Sequence, residues 1–93
     1  MTIEVKFFSL LRLELKEAGC SYQLDDEITV KELIKLLDQD YEGIFSDKLI
    51  EAGQIKMGTI ILVDGDNVIH LNGLETVIKD GAKISIFPPS GGG

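Results

Sequence analysis

The sequence predicts an α+β fold: a mixed four- to five-stranded sheet packed on one main helix. Three observations predict it. Residues 2–8 and 82–87 each alternate apolar and polar side chains, the pattern of half-buried strands. Between them, Thr29 and Glu32 stand three apart and open a run with helical apolar spacing. The chain has 93 residues, too few for more than one core when domains typically run to roughly 100–150 residues.

The elements follow in order. In the first strand Ile3, Val5 and Phe7 share one face, and Thr2, Glu4, Lys6 and Phe8 share the other. Residues 10–15 mix leucines with Arg12 and Glu14 and predict a short helical turn, with Gly19 ending the connection. Residues 21–24 predict a second strand, broken by Asp25, Asp26 and Glu27. The main helix starts at a Thr29–Glu32 capping box. Val30, Leu33, Ile34, Leu37 and Tyr41 make its apolar stripe, and Gly43 its stop. Residues 46–52 predict a short second helix, capped by Ser46, with Gly53 past its end. Residues 59–63 are rich in β-branched side chains and predict an inner strand. Asp64-Gly65, Asn72-Gly73 and Asp80-Gly81 read as turns, with a short strand at residues 68–71. In the last strand Ala82, Ile84 and Ile86 point inward, and Lys83, Ser85 and Phe87 outward.

One amphipathic helix covers one face of a sheet. The first and last strands alternate most strongly and are expected to pair in its centre. This is the β-grasp, ubiquitin-like arrangement. Its other sheet face stays open, and Phe8 and Phe87 are expected side by side on it. Residues 1–89 form the domain, and residues 90–93 a flexible glycine-rich tail.

Composition limits the function. Apolar residues are 44% and charged residues 27%, which places the chain among globular proteins. Nine basic against sixteen acidic residues give −7. That balance argues against nucleic-acid binding through the phosphate backbone. It permits docking on a basic protein surface. One cysteine, Cys20, excludes an internal disulfide and a multi-thiolate metal site, and no metal site is expected. His70 is the only histidine, and no catalytic triad assembles around it. The longest apolar run, residues 60–63, is far short of a membrane span. Glu4 and Lys6 interrupt the apolar start, so no signal peptide is read and a cytoplasmic location is expected.

The tail is where chemistry is expected. Pro88 and Pro89 donate no backbone hydrogen bonds, so the sheet stops there and the chain leaves in extended form. Ser90 to Gly93 then spans at most roughly 13–14 Å. Gly91, Gly92 and Gly93 make a thread without side chains. The carboxylate at its tip, with a pKa of about 3.5, is a poor electrophile until activated, for example as an acyl-adenylate.

The ending Ile84-Ser85-Ile86-Phe87-Pro88-Pro89-Ser90-Gly91-Gly92-Gly93 resembles the small, sulfur-carrying subunit of molybdopterin synthase. The start Val5-Lys6-Phe7-Phe8-Ser9-Leu10-Leu11-Arg12 is similar to the same family, as are Thr29-Val30-Lys31-Glu32-Leu33 and Asn72-Gly73-Leu74-Glu75-Thr76. The resemblance implies a carrier that catalyses nothing alone and binds no cofactor. Its Gly93 would be adenylated by an E1-like activating enzyme at the expense of ATP, then converted to a thiocarboxylate. Gly91 and Gly92 would thread into the large synthase subunit, where the sulfur passes to precursor Z for a molybdenum or tungsten cofactor. Phe8, Phe87, Pro88 and Arg12 would be partner-binding positions. Two departures from the family pattern stand out: Gly91 where a non-glycine is usual, and a longer segment at residues 39–57. The same tail chemistry suits a ubiquitin-like modifier joined through Gly93 to lysines of other proteins. A thiamine-pathway sulfur carrier or a plain interaction domain with an inert tail are further readings.

Overall fold

The computed structural model describes residues 1–89. Strand β1 (Thr2–Phe7) leads into helix α1 (Ser9–Leu15) and strand β2 (Gly19–Gln23). A two-residue strand β3 (Ile28–Thr29) precedes the main helix α2 (Val30–Asp40), the short helix α3 (Ile44–Leu49) and the small hairpin β4 (Ile50–Glu51) and β5 (Gln54–Ile55). Strands β6 (Ile60–Val63) and β7 (Asp66–Asn67), two 3₁₀ turns, β8 (Val77–Ile78) and β9 (Lys83–Phe87) complete the chain.

The main sheet has the order β2-β1-β9-β6-β7, with β1 and β9 adjacent and parallel. The expected central pairing of the first and last strands is therefore found. Ile3, Val5 and Phe7 from β1, with Ile84 and Ile86 from β9, are buried on one face. Val30, Leu33, Ile34 and Leu37 of α2 meet them there. Tyr41 closes the end of this core. Its ring lies 5.5 Å from Phe7 and 5.5 Å from Phe45, and Phe7 and Phe45 are 5.2 Å apart.

Local chemistry explains the boundaries. The capping box is formed: the Thr29 hydroxyl accepts from Glu32 N–H at 3.2 Å, and Glu32 accepts from Thr29 N–H at 3.0 Å. Asp64 and Gly65 take φ of 50° and 89°. Left-handed values at both positions define the tight reversal that matches strand twist. Asp64 also fastens the turn to the next strand, since its carboxylate accepts from Lys83 N–H at 2.9 Å. Strand β2 begins at Gly19 rather than Ser21. A Cβ on Gly19 would stand 2.1 Å from the Val5 carbonyl oxygen, so only glycine lets the two backbones approach there.

Three expectations are corrected. The second helix is Ile44–Leu49, not residues 46–52. Gly43, at φ 79°, is its N-cap, and Ser46 lies inside it. The capping carboxylate comes from the preceding helix: Asp38 accepts from Ser46 N–H at 3.0 Å and from the Ser46 hydroxyl. Residues 50–55, freed from that helix, pair as β4 and β5. Val68–His70 is a 3₁₀ turn rather than part of a strand, because the Asn67 side chain accepts from Ile69 N–H and winds the backbone. The pairing of β8 with β3 has no period long enough to read in the sequence.

Thr59 is buried, and its hydroxyl finds no partner among the described residues. An unsatisfied buried hydroxyl costs roughly 1–3 kcal/mol. Thr59→Val keeps the shape and removes that group. It is expected to raise the unfolding free energy by about 1 kcal/mol, measured by denaturant titration.

Candidate functional site

The parallel register sets Phe7 opposite Ile86. The next residue on each strand, Phe8 and Phe87, therefore projects to the open face at the same level. Phe8 stays extended and donates its N–H to the Ile86 carbonyl at 3.1 Å. The two rings stack, with centroids 4.4 Å apart and planes 11° from parallel. Such pairs contribute about 0.5–1.5 kcal/mol beyond area burial.

Strand β6 widens the patch. Ile60 faces Phe87 across the strands and Leu62 faces Ser85. Ile60 is 40% exposed. The open face at the root of the tail is thus apolar: Phe8, Phe87, Ile60 and Leu62. Lys6, Lys83 and Glu4 share the same face further along the central strands.

The root itself is held. Pro88 is buried and Pro89 half-buried. Gly58, at φ 90°, passes against Pro89, and a Cβ there would lie 3.2 Å from the proline's own Cβ. Pro88, expected as a partner contact, is buried at the end of β9 in the free chain. Arg12 is exposed on α1, and among the described residues it forms no ion pair. Leu10 and Leu13 of the same helix are also exposed. The expected carrier residue Gly93 and the thread residues Gly91 and Gly92 lie outside the described residues.

The structure brings Phe8 and Phe87 into contact and adds Ile60, Leu62 and Gly58, which sequence reasoning missed. Residues 60–63 are apolar at every position, so they read as a strand buried on both faces. The exposed side of Ile60 has no signal in that run.

A second cluster surrounds Cys20. The Tyr22 hydroxyl donates to Asp40 at 2.6 Å, and the Tyr41 hydroxyl donates to Glu17 at 2.5 Å. Burial pushes the Cys20 thiol above its usual range, opposed by the smaller effect of the Tyr41 and Tyr22 hydroxyls beside it. Burial, with those carboxylate bonds, pushes both phenols up as well. Burial thus favours the protonated thiol, the less nucleophilic form. No three His, Cys, Asp or Glu side chains converge to hold a metal ion among the described residues. No helix among them is long and apolar enough to cross a membrane.

The β-grasp body and its apolar patch at the root of a glycine tail define a ubiquitin-like carrier domain. The ThiS family matches residues 5–93. The chain belongs to that family of ubiquitin-like sulfur carriers. It is 34% identical over its full length to the full length of small archaeal modifier protein 3 of Haloferax volcanii. It is 36% identical over 69 residues, 73% of this chain and 77% of the other, to a protein assigned as a sulfur carrier in Archaeoglobus fulgidus. A solution structure of a Haloferax volcanii protein superposes with a TM-score of 0.83 at 34% identity, covering 100% of this chain and 87% of that one.

Gly58→Ala tests how the root is held. The substitution forces an L-residue into a left-handed conformation against Pro89. It is expected to lower the unfolding free energy by about 1–2 kcal/mol, read by thermal or denaturant melting.

Proposed function

We propose that this protein carries sulfur as a thiocarboxylate on Gly93, with the folded body presenting that residue to its enzymes. The observation that supports the reading most is the stacked Phe8–Phe87 pair beside Ile60, placed where the chain leaves β9. A partner gripping this patch receives the last residues in a defined direction. The family match also runs to residue 93.

The chemistry is a two-step acyl transfer. The Gly93 carboxylate attacks the α-phosphate of ATP on an E1-like adenylating enzyme, releasing pyrophosphate and leaving an acyl-adenylate. Sulfide (HS−) delivered by a sulfur donor then attacks the acyl carbon, AMP leaves with the bonding pair, and loss of the sulfur's proton leaves the thiocarboxylate. The apolar patch and Arg12 dock the body, and Gly91 and Gly92 reach the nucleotide through a narrow passage. The acceptor we propose is the pterin precursor of a molybdenum or tungsten cofactor, reached through the large subunit of molybdopterin synthase. The Phe87-Pro88-Pro89 run followed by the glycines supports this acceptor over the thiamine pathway.

A second reading is favoured by the end-to-end similarity to an archaeal modifier protein. Here the activated Gly93 carbonyl is attacked by a lysine amine of another protein, and an amide replaces the thiocarboxylate. Both readings share the activation step.

Mass spectrometry of the full chain after incubation with the activating enzyme, ATP and a sulfur donor is expected to show oxygen replaced by sulfur at Gly93. An unmodified terminus would defeat the carrier reading. Gly93–lysine linkages in cell digests would establish the modifier reading.

Phe87→Ala is expected to weaken binding to the activating enzyme by about 1–4 kcal/mol, as a central aromatic anchor does. Stability should fall by no more than the contribution of the ring stack, about 0.5–1.5 kcal/mol. Calorimetric binding and melting on the same sample separate the two effects.

A further inference from the structure

We infer that the outer edge of β2 is a second docking site, which takes an extended, lysine- or arginine-bearing protein segment by strand addition. This goes beyond sulfur carriage, since it uses neither the tail nor the aromatic patch.

Strand β2 is the terminal strand of the main sheet. Its hydrogen bonding to β1 alternates. Leu24 N–H donates to the Met1 carbonyl at 2.7 Å, the Met1 amino group donates back to Leu24 at 2.6 Å, and Phe7 N–H donates to Ala18 at 2.9 Å. With the register Ile3 to Tyr22 and Val5 to Cys20, the backbone groups of Tyr22 and Cys20 therefore turn towards β1. Those of Gly19, Ser21 and Gln23 turn away from the sheet, and no backbone partner meets them among the described residues. This is a row of donors and acceptors ready for another strand.

Proteins blunt such edges with lysine, proline, inward charges or bulges. Strand β2 reads Gly19-Cys20-Ser21-Tyr22-Gln23 and has none of these residues. Its side chains are small or uncharged, so nothing on the strand itself repels a partner backbone.

The surroundings specify the partner's charge. Glu17 precedes the strand, and Asp25, Asp26 and Glu27 follow it, all exposed. Asp40 is brought alongside by the Tyr22 hydroxyl, and Glu17 is held by that of Tyr41. Against these five carboxylates stand Lys16, Lys6, which lies opposite Gly19 on β1, and the Met1 ammonium, which donates to the Leu24 carbonyl. A second copy of the chain in antiparallel pairing would bring Asp25, Asp26 and Glu27 towards Glu17 of its partner, an acid-on-acid contact softened only by Lys16 and Lys6. A basic segment meets opposite charge at both ends of the edge.

The test uses the full chain and a short end-capped peptide alternating lysine with valine, followed by amide hydrogen exchange. The expected result is slowing of exchange at Gly19, Ser21 and Gln23 by about tenfold or more, with Cys20 and Tyr22 little changed because their amides already face β1. Binding should weaken as salt is raised. Ser21→Pro removes only an outward N–H, which an edge strand tolerates, so it should keep the melting temperature and abolish the protection. Should that variant fail to fold, Asp25→Lys combined with Asp26→Lys, in the connection outside the strand, should weaken peptide binding at least several-fold. Protection centred elsewhere, unchanged binding by Ser21→Pro, or equal binding of a glutamate–valine peptide would overturn the proposal. Concentration-dependent protection of the same three amides without peptide would identify a second copy as the occupant and overturn it too.

Discussion

The parallel pairing of β1 with β9 is the constraint on which the rest of this molecule depends. It brings the two ends of the chain to the centre of one sheet. Glu4 N–H reaches the Ala82 carbonyl at 3.1 Å, and Phe8 N–H reaches Ile86 at 3.1 Å, so the ladder runs nearly the full length of both strands. The inward residues of these two strands supply much of the core that α2 covers. Their outward residues supply the aromatic stack. One register thus decides both what is buried and what is displayed, because a slip by one residue would exchange the two faces.

The division of labour between the faces is sharp. Beneath the sheet, Tyr41 meets Phe7 and Phe45 edge to face, Phe7 and Phe45 pack at a tilt, and the three seal the end of the core. Above it, Phe8 and Phe87 lie nearly parallel and half-buried. The chemistry proposed for the residues beyond β9 would ask little of the body beyond a rigid grip and a fixed exit. The buried Pro88 and the close passage of Gly58 along Pro89 provide that exit.

Much of this was legible in the sequence, for reasons that differ by element. Alternation at residues 2–8 and 82–87 identified the strands and their facing, because one side of each is buried and the other is not. The Thr29–Glu32 box marked its helix, because both of its reciprocal bonds form within a single turn. The prediction for residues 46–52 failed because Ser46 carries a cap signal that Asp38, from a different helix, overrides. The Val68–His70 turn hid behind β-branched residues that favour strands, since a single Asn67 side-chain bond redirects the backbone. Ile60 was unreadable as surface because its neighbours are apolar on both sides. The family was legible mainly at the two ends of the chain, where the strand, the prolines and the glycines coincide.

The placement of the first strand also shapes how the molecule comes into being. During synthesis β1 emerges first, can pair with β2 on one side, and then waits for β9, nearly the whole length of the polypeptide later. Contacts this distant in sequence slow folding. Until β9 arrives, the hydrophobic face of α2 has only part of its floor. Closure of the sheet therefore waits until residues 83–87 have been made, and a nascent chain halted ahead of residue 83 lacks the central strand of its sheet.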